Sequence, residues 1–217
     1  VRLLAKHLHE RGYTVAAPLL AGHGTQPADL NHVSWGEWVA SAEKVYAQLA
    51  DRCKQFFIGG QSMGGVVALQ LASQHPEAVG LLLYAPAIKL TMTNLDKMKL
   101  YAGSLFISEV ARESLDGSDK WQGYPGLPLK GAIQLLQMQG AVRQRLPLIK
   151  QPVIVFQGRK DTTVHQTASD IILQGVNSTL KEQHWMERSS HAITLDCELD
   201  AVTDFTVQFM EKALKPQ

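Results

Sequence analysis

Apolar and polar positions follow two rhythms along this chain. Val1, Leu4, Ala5 and Leu8 recur at helical spacing before Gly12, which predicts an opening amphipathic helix. YTVAAPLL (13–20) reads as a strand and AGHGTQPADL (21–30) as a loop. Ser34 and Glu37 have the spacing of a capping box, and Val39, Ala42, Val45, Tyr46 and Leu49 form the apolar face of the helix behind it. FFIGGQ is the next strand, and the mostly apolar stretch 63–76 the next helix. VGLLLYAP (79–86) and PVIVFQG (152–158) are apolar on consecutive residues, as strands buried on both faces are. TLKEQHWM (179–186) is a weaker strand, and helices are predicted at 166–175 and 198–214.

Strands alternating with helices predict an α/β fold, a mostly parallel sheet with helices on both faces. One segment breaks the rhythm. Residues 88–151 show helical stretches, GAIQLLQMQGAVRQRL among them, and no strand pattern. A long insertion between two strands reads as a small helical cap on a core made of 1–87 and 152–217. Its apolar residues (Leu90, Met92, Leu95, Met98, Leu100, Leu105, Phe106, Leu135, Leu136 and Met138) are the candidate lining of an acyl pocket, with Trp121 and Tyr124 at its entrance.

Charge narrows the partners. With 21 basic and 20 acidic residues the net charge is +1, and no run of like charge suits nucleic acid or an acidic membrane surface. No Arg or Lys cluster for phosphate is visible along the chain. No apolar stretch reaches the roughly 18 residues of a membrane span, and no signal-peptide pattern is read at the start. Cys53 and Cys197 have neither metal-type nor redox-type spacing and predict no disulfide, which favours a reducing, cytoplasmic setting.

The candidate chemistry begins at Gly60-Gln61-Ser62-Met63-Gly64, a G-x-S-x-G pattern between a strand and a helix. The glycines make room for a sharp turn that lifts the serine hydroxyl above the sheet, with the following helix N-terminus aimed at the same point. A serine needs a base, and the base a carboxylate to orient it. Asp161 in GRKDTTV and His191 in SSHAITLD both fall just past strand ends, where α/β sheets place their sites, and in the chain order this turn requires. Asp196 and Asp200 are fallback acids in the wrong order. His7 and His9, two apart on a helix, face different ways and make no metal pair.

GGQSMGG, GRKDTTV and SSHAITLD resemble the catalytic segments of the serine α/β-hydrolases. Together with LAGHGTQPADL and the helical insertion, they resemble the small bacterial carboxylesterases and monoacylglycerol-lipase-like esterases over nearly the whole chain. The resemblance implies Ser62 as nucleophile, His191 as general base and acid, Asp161 as its partner, the Met63 N–H as one oxyanion donor, and neither metal nor organic cofactor. It implies a neutral ester with a short or medium acyl chain, or a monoacylglycerol, as substrate.

It also sets up a discrepancy. In that family the second oxyanion donor follows an earlier His-Gly strand, and His23-Gly24 stands in the wrong place to supply it. The missing strand belongs between YTVAAPLL and FFIGGQ. Three arrangements follow: a chain lacking N-terminal strands, a smaller sheet in which YTVAAPLL pairs directly with FFIGGQ, or a partner chain filling the gap. The competing functional reading is a weak or silent scaffold that binds a small apolar ligand or a protein.

Overall fold

Two strands carry the core. β2 (Gly80–Tyr84) and β5 (Val153–Gly158) are buried at every residue. They lie at the centre of a parallel sheet of order β1-β2-β5-β6, flanked by β1 (Phe57–Gln61) and β6 (Lys181–Met186). The computed structural model describes residues 1–111 and 123–215.

Because strand side chains alternate, the continuous apolar runs divide into two cores. Leu81, Leu83, Val153 and Val155 face α2 (Trp35–Ala50), α3 (Met63–Ala72) and α6 (Ala168–Gly175). Leu82, Tyr84, Ile154 and Phe156 face α1 (Arg2–Glu10) and α7 (Leu199–Ala213). Helices therefore cover both faces of the sheet. α2 begins as its capping box predicts, with the Ser34 N–H donating to Glu37 Oε2 at 2.9 Å.

Between β2 and β5 lie α4 (Asn94–Gly103), β3 (Glu109–Ala111), β4 (Gly126–Pro128) and α5 (Leu129–Arg145). The antiparallel β3–β4 pair corrects the expectation of an all-helical insertion. Three residues per strand are too few to register a period of two. Polar contacts tie this segment to the loop after α1 and to the first residue of α2. Asn31 Nδ2 donates to Ser108 O, Asn31 Oδ1 accepts the Lys130 N–H, and the Trp35 N–H donates to Gln134 Oε1.

A second correction concerns YTVAAPLL. Residues 13–20 form no strand and are mostly exposed, Val15 at 38% and Leu19 at 70%. Direct pairing with FFIGGQ does not occur, so among the described residues β1 is an edge of the sheet. β-prone side chains fit a pleated, half-buried surface, and without a neighbouring ladder they do not make a strand.

Candidate active site

The chain leaves β1 at Gln61 and enters α3 at Met63, so Ser62 alone must make the turn. It does so with φ 55° and ψ −120°, a left-handed backbone that costs a side-chain-bearing residue energy. Neighbours hold it there. The Ser62 N–H donates to Tyr84 O at 2.9 Å, and Ser62 O accepts from the Gly65 and Ala87 N–H groups, each at 3.0 Å.

The glycines serve unequally. A Cβ on Gly60 would lie 2.2 Å from Gly64 O, whereas one on Gly64 would meet nothing within 4 Å. Crowding demands glycine at 60, contrary to the symmetric expectation from the motif. Gly65 lets α3 pack on Pro86, whose Cβ would be 2.9 Å from an added methyl.

Asp161 follows β5 and is almost wholly buried. Its oxygens divide two tasks. Oδ1 accepts the Thr163 and Val164 N–H groups at 2.8 and 2.9 Å, an Asx-type turn, and Oδ2 lies 2.9 Å from His191 Nδ1. His191 is 2% exposed and its Nε2 is 2.9 Å from Ser62 Oγ. A carboxylate only accepts, so Nδ1 carries the hydrogen and Nε2 of the neutral ring is free to accept from the serine hydroxyl. The three predicted residues therefore meet in one hydrogen-bonded chain. Met63 stands at the first position of α3, where the N–H has no intrahelical acceptor and the helix dipole favours negative charge.

Several supporting residues escaped the sequence reading. Gly158 is one. A Cβ there would lie 2.3 Å from Ser190 O and 2.4 Å from Ser189 O, so glycine allows the histidine loop to lie against the end of β5. Gln61 is another. Its Nε2 donates to His191 O at 3.3 Å, while its Oε1 accepts the Thr194 hydroxyl, joining the serine turn to the histidine loop. Asp196 does not touch His191. Its Oδ2 accepts the Ser190 N–H at 2.7 Å and the Ser190 hydroxyl at 2.9 Å, and its Oδ1 the Cys197 N–H at 2.7 Å. Burial pushes this carboxyl up, but those hydrogen bonds outweigh it and hold it below the ordinary aspartate range. Asp200 lies near His7 instead.

The His23-Gly24 segment is spent on local structure. The His23 N–H donates to Leu20 O, its ring Nδ1 lies 3.1 Å from Ala21 O, and the Thr25 N–H donates to the Tyr124 hydroxyl. Tyr124 also donates to Gly22 O at 3.0 Å, so it fastens the insertion to this loop. Trp121 lies outside the described residues.

The expected acyl lining needs correction. Leu95, Met98, Leu105 and Phe106 are exposed, from 52% to 86%, and Met138 is part of the core. Leu95 and Met98, three apart, share the outer face of α4, while Leu100 turns inward. Leu90, Met92 and Leu136 line a cavity between α4 and α5 whose lining includes none of Ser62, Asp161 and His191.

Known proteins share this arrangement of chain. The Hydrolase_4 family, described as serine aminopeptidase S33, matches residues 1–122 and 110–198. The thermostable monoacylglycerol lipase of Bacillus sp. (strain H-257) is 32% identical over 217 residues, covering 98% of this chain and 85% of that protein. The carboxylesterase of Bacillus subtilis (strain 168) is 29% identical over 98% of this chain and 87% of its own. A solved structure from the pair LipS and LipT, two metagenome-derived lipolytic enzymes, superposes with a TM-score of 0.89 at 30% identity, over 97% of this chain and 87% of the other. With this breadth of match, the chain belongs to the Hydrolase_4 (serine aminopeptidase S33) family of α/β-hydrolases.

Proposed function

We propose that this protein is a serine esterase that hydrolyses short- to medium-chain carboxylic esters, monoacylglycerols among them, through an acyl-enzyme on Ser62. The observation that carries the reading is the relay of two 2.9 Å contacts from Ser62 Oγ through His191 to Asp161, ending on a serine with a left-handed backbone. The family description names a peptidase. Two curated relatives, similar over nearly the whole chain, are named as a lipase and a carboxylesterase, and they favour an ester bond.

Ser62 Oγ attacks the ester carbonyl carbon while its proton passes to His191 Nε2. Asp161 stabilises the imidazolium and fixes the ring orientation. The tetrahedral oxyanion faces the Met63 N–H at the start of α3. Collapse breaks the bond to the alcohol, which leaves with the proton from Nε2. A water then gives a proton to Nε2 as its oxygen attacks the acyl carbon; the bond from that carbon to Ser62 Oγ breaks, Oγ takes the proton back from Nε2, and the carboxylic acid leaves. Residues 88–151 act as a cap over the core formed by 1–87 and 152–217, and their tethers at Asn31, Tyr124 and Gln134 support that division.

Turnover of p-nitrophenyl esters from acetate to decanoate tests the reading. Ser62→Ala should remove activity. Asp161→Asn should lower kcat by roughly 10²–10⁴, because an amide donor facing Nδ1 favours the wrong tautomer. Equal turnover in Ser62→Ala would take Ser62 out of the mechanism.

A second reading rests on the open edge of β1. In it, the chain is a catalytically weak or silent scaffold that binds a small apolar ligand or a partner protein, because no strand that would carry the second oxyanion donor pairs with that edge among the described residues. One such donor is worth about 10²–10³ in rate. A folded chain that a fluorophosphonate fails to label would favour this reading over the first.

A further inference from the structure

The insertion builds a charged cavity that the sequence conceals. On α5, Leu136, Gln139, Gly140 and Arg143 recur at three- and four-residue steps and share one face. On α4, Lys97 and Tyr101 are four apart and share another. These two faces meet across a cavity of about 240 Å³, with Lys89, Leu90 and Met92 as its floor. Three cations thus converge from positions 89, 97 and 143, although the chain as a whole carries a net charge of only +1.

Among the described residues, none of the three forms an ion pair. Lys89 Nζ donates to the Thr167 hydroxyl at 3.1 Å, and Arg143 Nη2 donates to Ile88 O at 2.5 Å. Both contacts hold the side chains in place without neutralising them. Like charges gathered without a counter-charge destabilise a fold, and the cost is relieved when an anion enters.

One position on the rim of the cavity carries no side chain. Gly140 lies inside α5, where glycine costs roughly 1 kcal/mol relative to alanine. Packing does not require it, since a Cβ at this position would meet nothing within 4 Å. Gly140 is exposed at the edge of the cavity it lines, and a side chain there would extend into the open space at its mouth.

We propose that this cavity between α4 and α5 is a binding site for a small phosphate-bearing molecule, held by Lys89, Lys97 and Arg143. Charge selects the class. Three cations, Lys89 and Arg143 held by hydrogen bonds and Lys97 exposed at the rim, suit a dianionic phosphate better than a singly charged carboxylate, and the guanidinium fork matches phosphate oxygens. Size and lining agree. The volume is just below the roughly 300–1,000 Å³ of drug-sized pockets, and Leu90, Met92, Leu136 and Tyr101 offer apolar wall to a short organic substituent. Ser62, Asp161 and His191 do not line the cavity, and the proposal does not depend on the esterase reaction.

Isothermal titration of the 217-residue chain with inorganic phosphate, at ionic strength held constant with sodium chloride, tests this. Saturable binding is expected, weakened at least tenfold in Lys97→Gln and in Arg143→Gln, and abolished in Gly140→Leu. Leucine is a good helix former entering open space, so Gly140→Leu should unfold no earlier than the parent. If it fails to fold, the exposed Lys97→Gln still decides the matter. A parallel arm separates the sources of the phosphate, using co-sedimentation with phosphatidylcholine vesicles containing phosphatidic acid. Vesicle binding that free phosphate competes away and Lys97→Gln loses assigns a lipid headgroup. Phosphate binding without vesicle binding assigns a soluble phosphate compound. No saturable phosphate binding, vesicle binding that phosphate leaves unchanged, or equal affinity in Gly140→Leu and Lys97→Gln would overturn the proposal.

Discussion

Gly60 shows how much one missing side chain decides. The Ser62 turn brings the Gly64 carbonyl to within 2.2 Å of where a Cβ on Gly60 would stand. Gly60→Ala should therefore destabilise the protein by about 1–3 kcal/mol, the usual cost of overpacking, and displace the serine. Gly64→Ala should leave stability unchanged or slightly raised, because that position opens to free space and lies in the first turn of a helix. Urea unfolding midpoints of the two variants provide the check, and equal losses would contradict this account of the turn. At this scale the sequence was most legible for residues whose type names their chemistry. Ser62, Asp161 and His191 stood out by type, order and place at strand ends. Gly158, Gln61 and Thr194 did not, because their roles exist only where loops from distant parts of the chain touch.

At the scale of elements, the histidine loop after β6 is held mainly from within. Asp196 receives the Ser190 N–H and hydroxyl beside His191, and its carboxyl is held below its ordinary value. A carboxyl depressed in the fold stabilises the protein above its unfolded pKa, about 3.9. That contribution is lost as pH falls through the lower folded value. Acid should thus loosen this loop at pH below about 4. Unfolding midpoints measured from pH 6 to 3 should fall more steeply in the parent than in Asp196→Asn, which keeps an acceptor but does not titrate there. Parallel slopes would remove Asp196 from the clamp. Element types were readable wherever the period was long or the run continuous, as in α1, α2, β2 and β5. The reading failed at 13–20, where strand propensity found no ladder, and at β3 and β4, each three residues long. It also failed on α4, whose apolar residues divide between an exposed and a buried face.

For the whole molecule, two features follow from how the sheet is filled. β2 and β5 are enclosed by both cores, whereas β1 has a ladder on one side only. Amide hydrogen exchange should therefore be slowest in β2 and β5 and measurably faster in β1 and residues 13–20. Uniform protection across all four regions would mean that the edge is covered. The second feature is that positions far apart in the chain converge twice, once as the serine relay and once as the cationic cavity in the insertion. The relay was anticipated because its members carry recognisable chemistry in a fixed order. The cavity was not, because lysines and an arginine spread over 55 positions look like solvated surface until two helix faces bring them together. The central claim, a nucleophilic Ser62 activated by His191, is tested most directly by intact-mass and peptide-mapping analysis after reaction with a fluorophosphonate. The account predicts one adduct per chain on Ser62, absent in Ser62→Ala and greatly slowed in His191→Ala. An adduct on another residue, or labelling of His191→Ala at the parent rate, would contradict it.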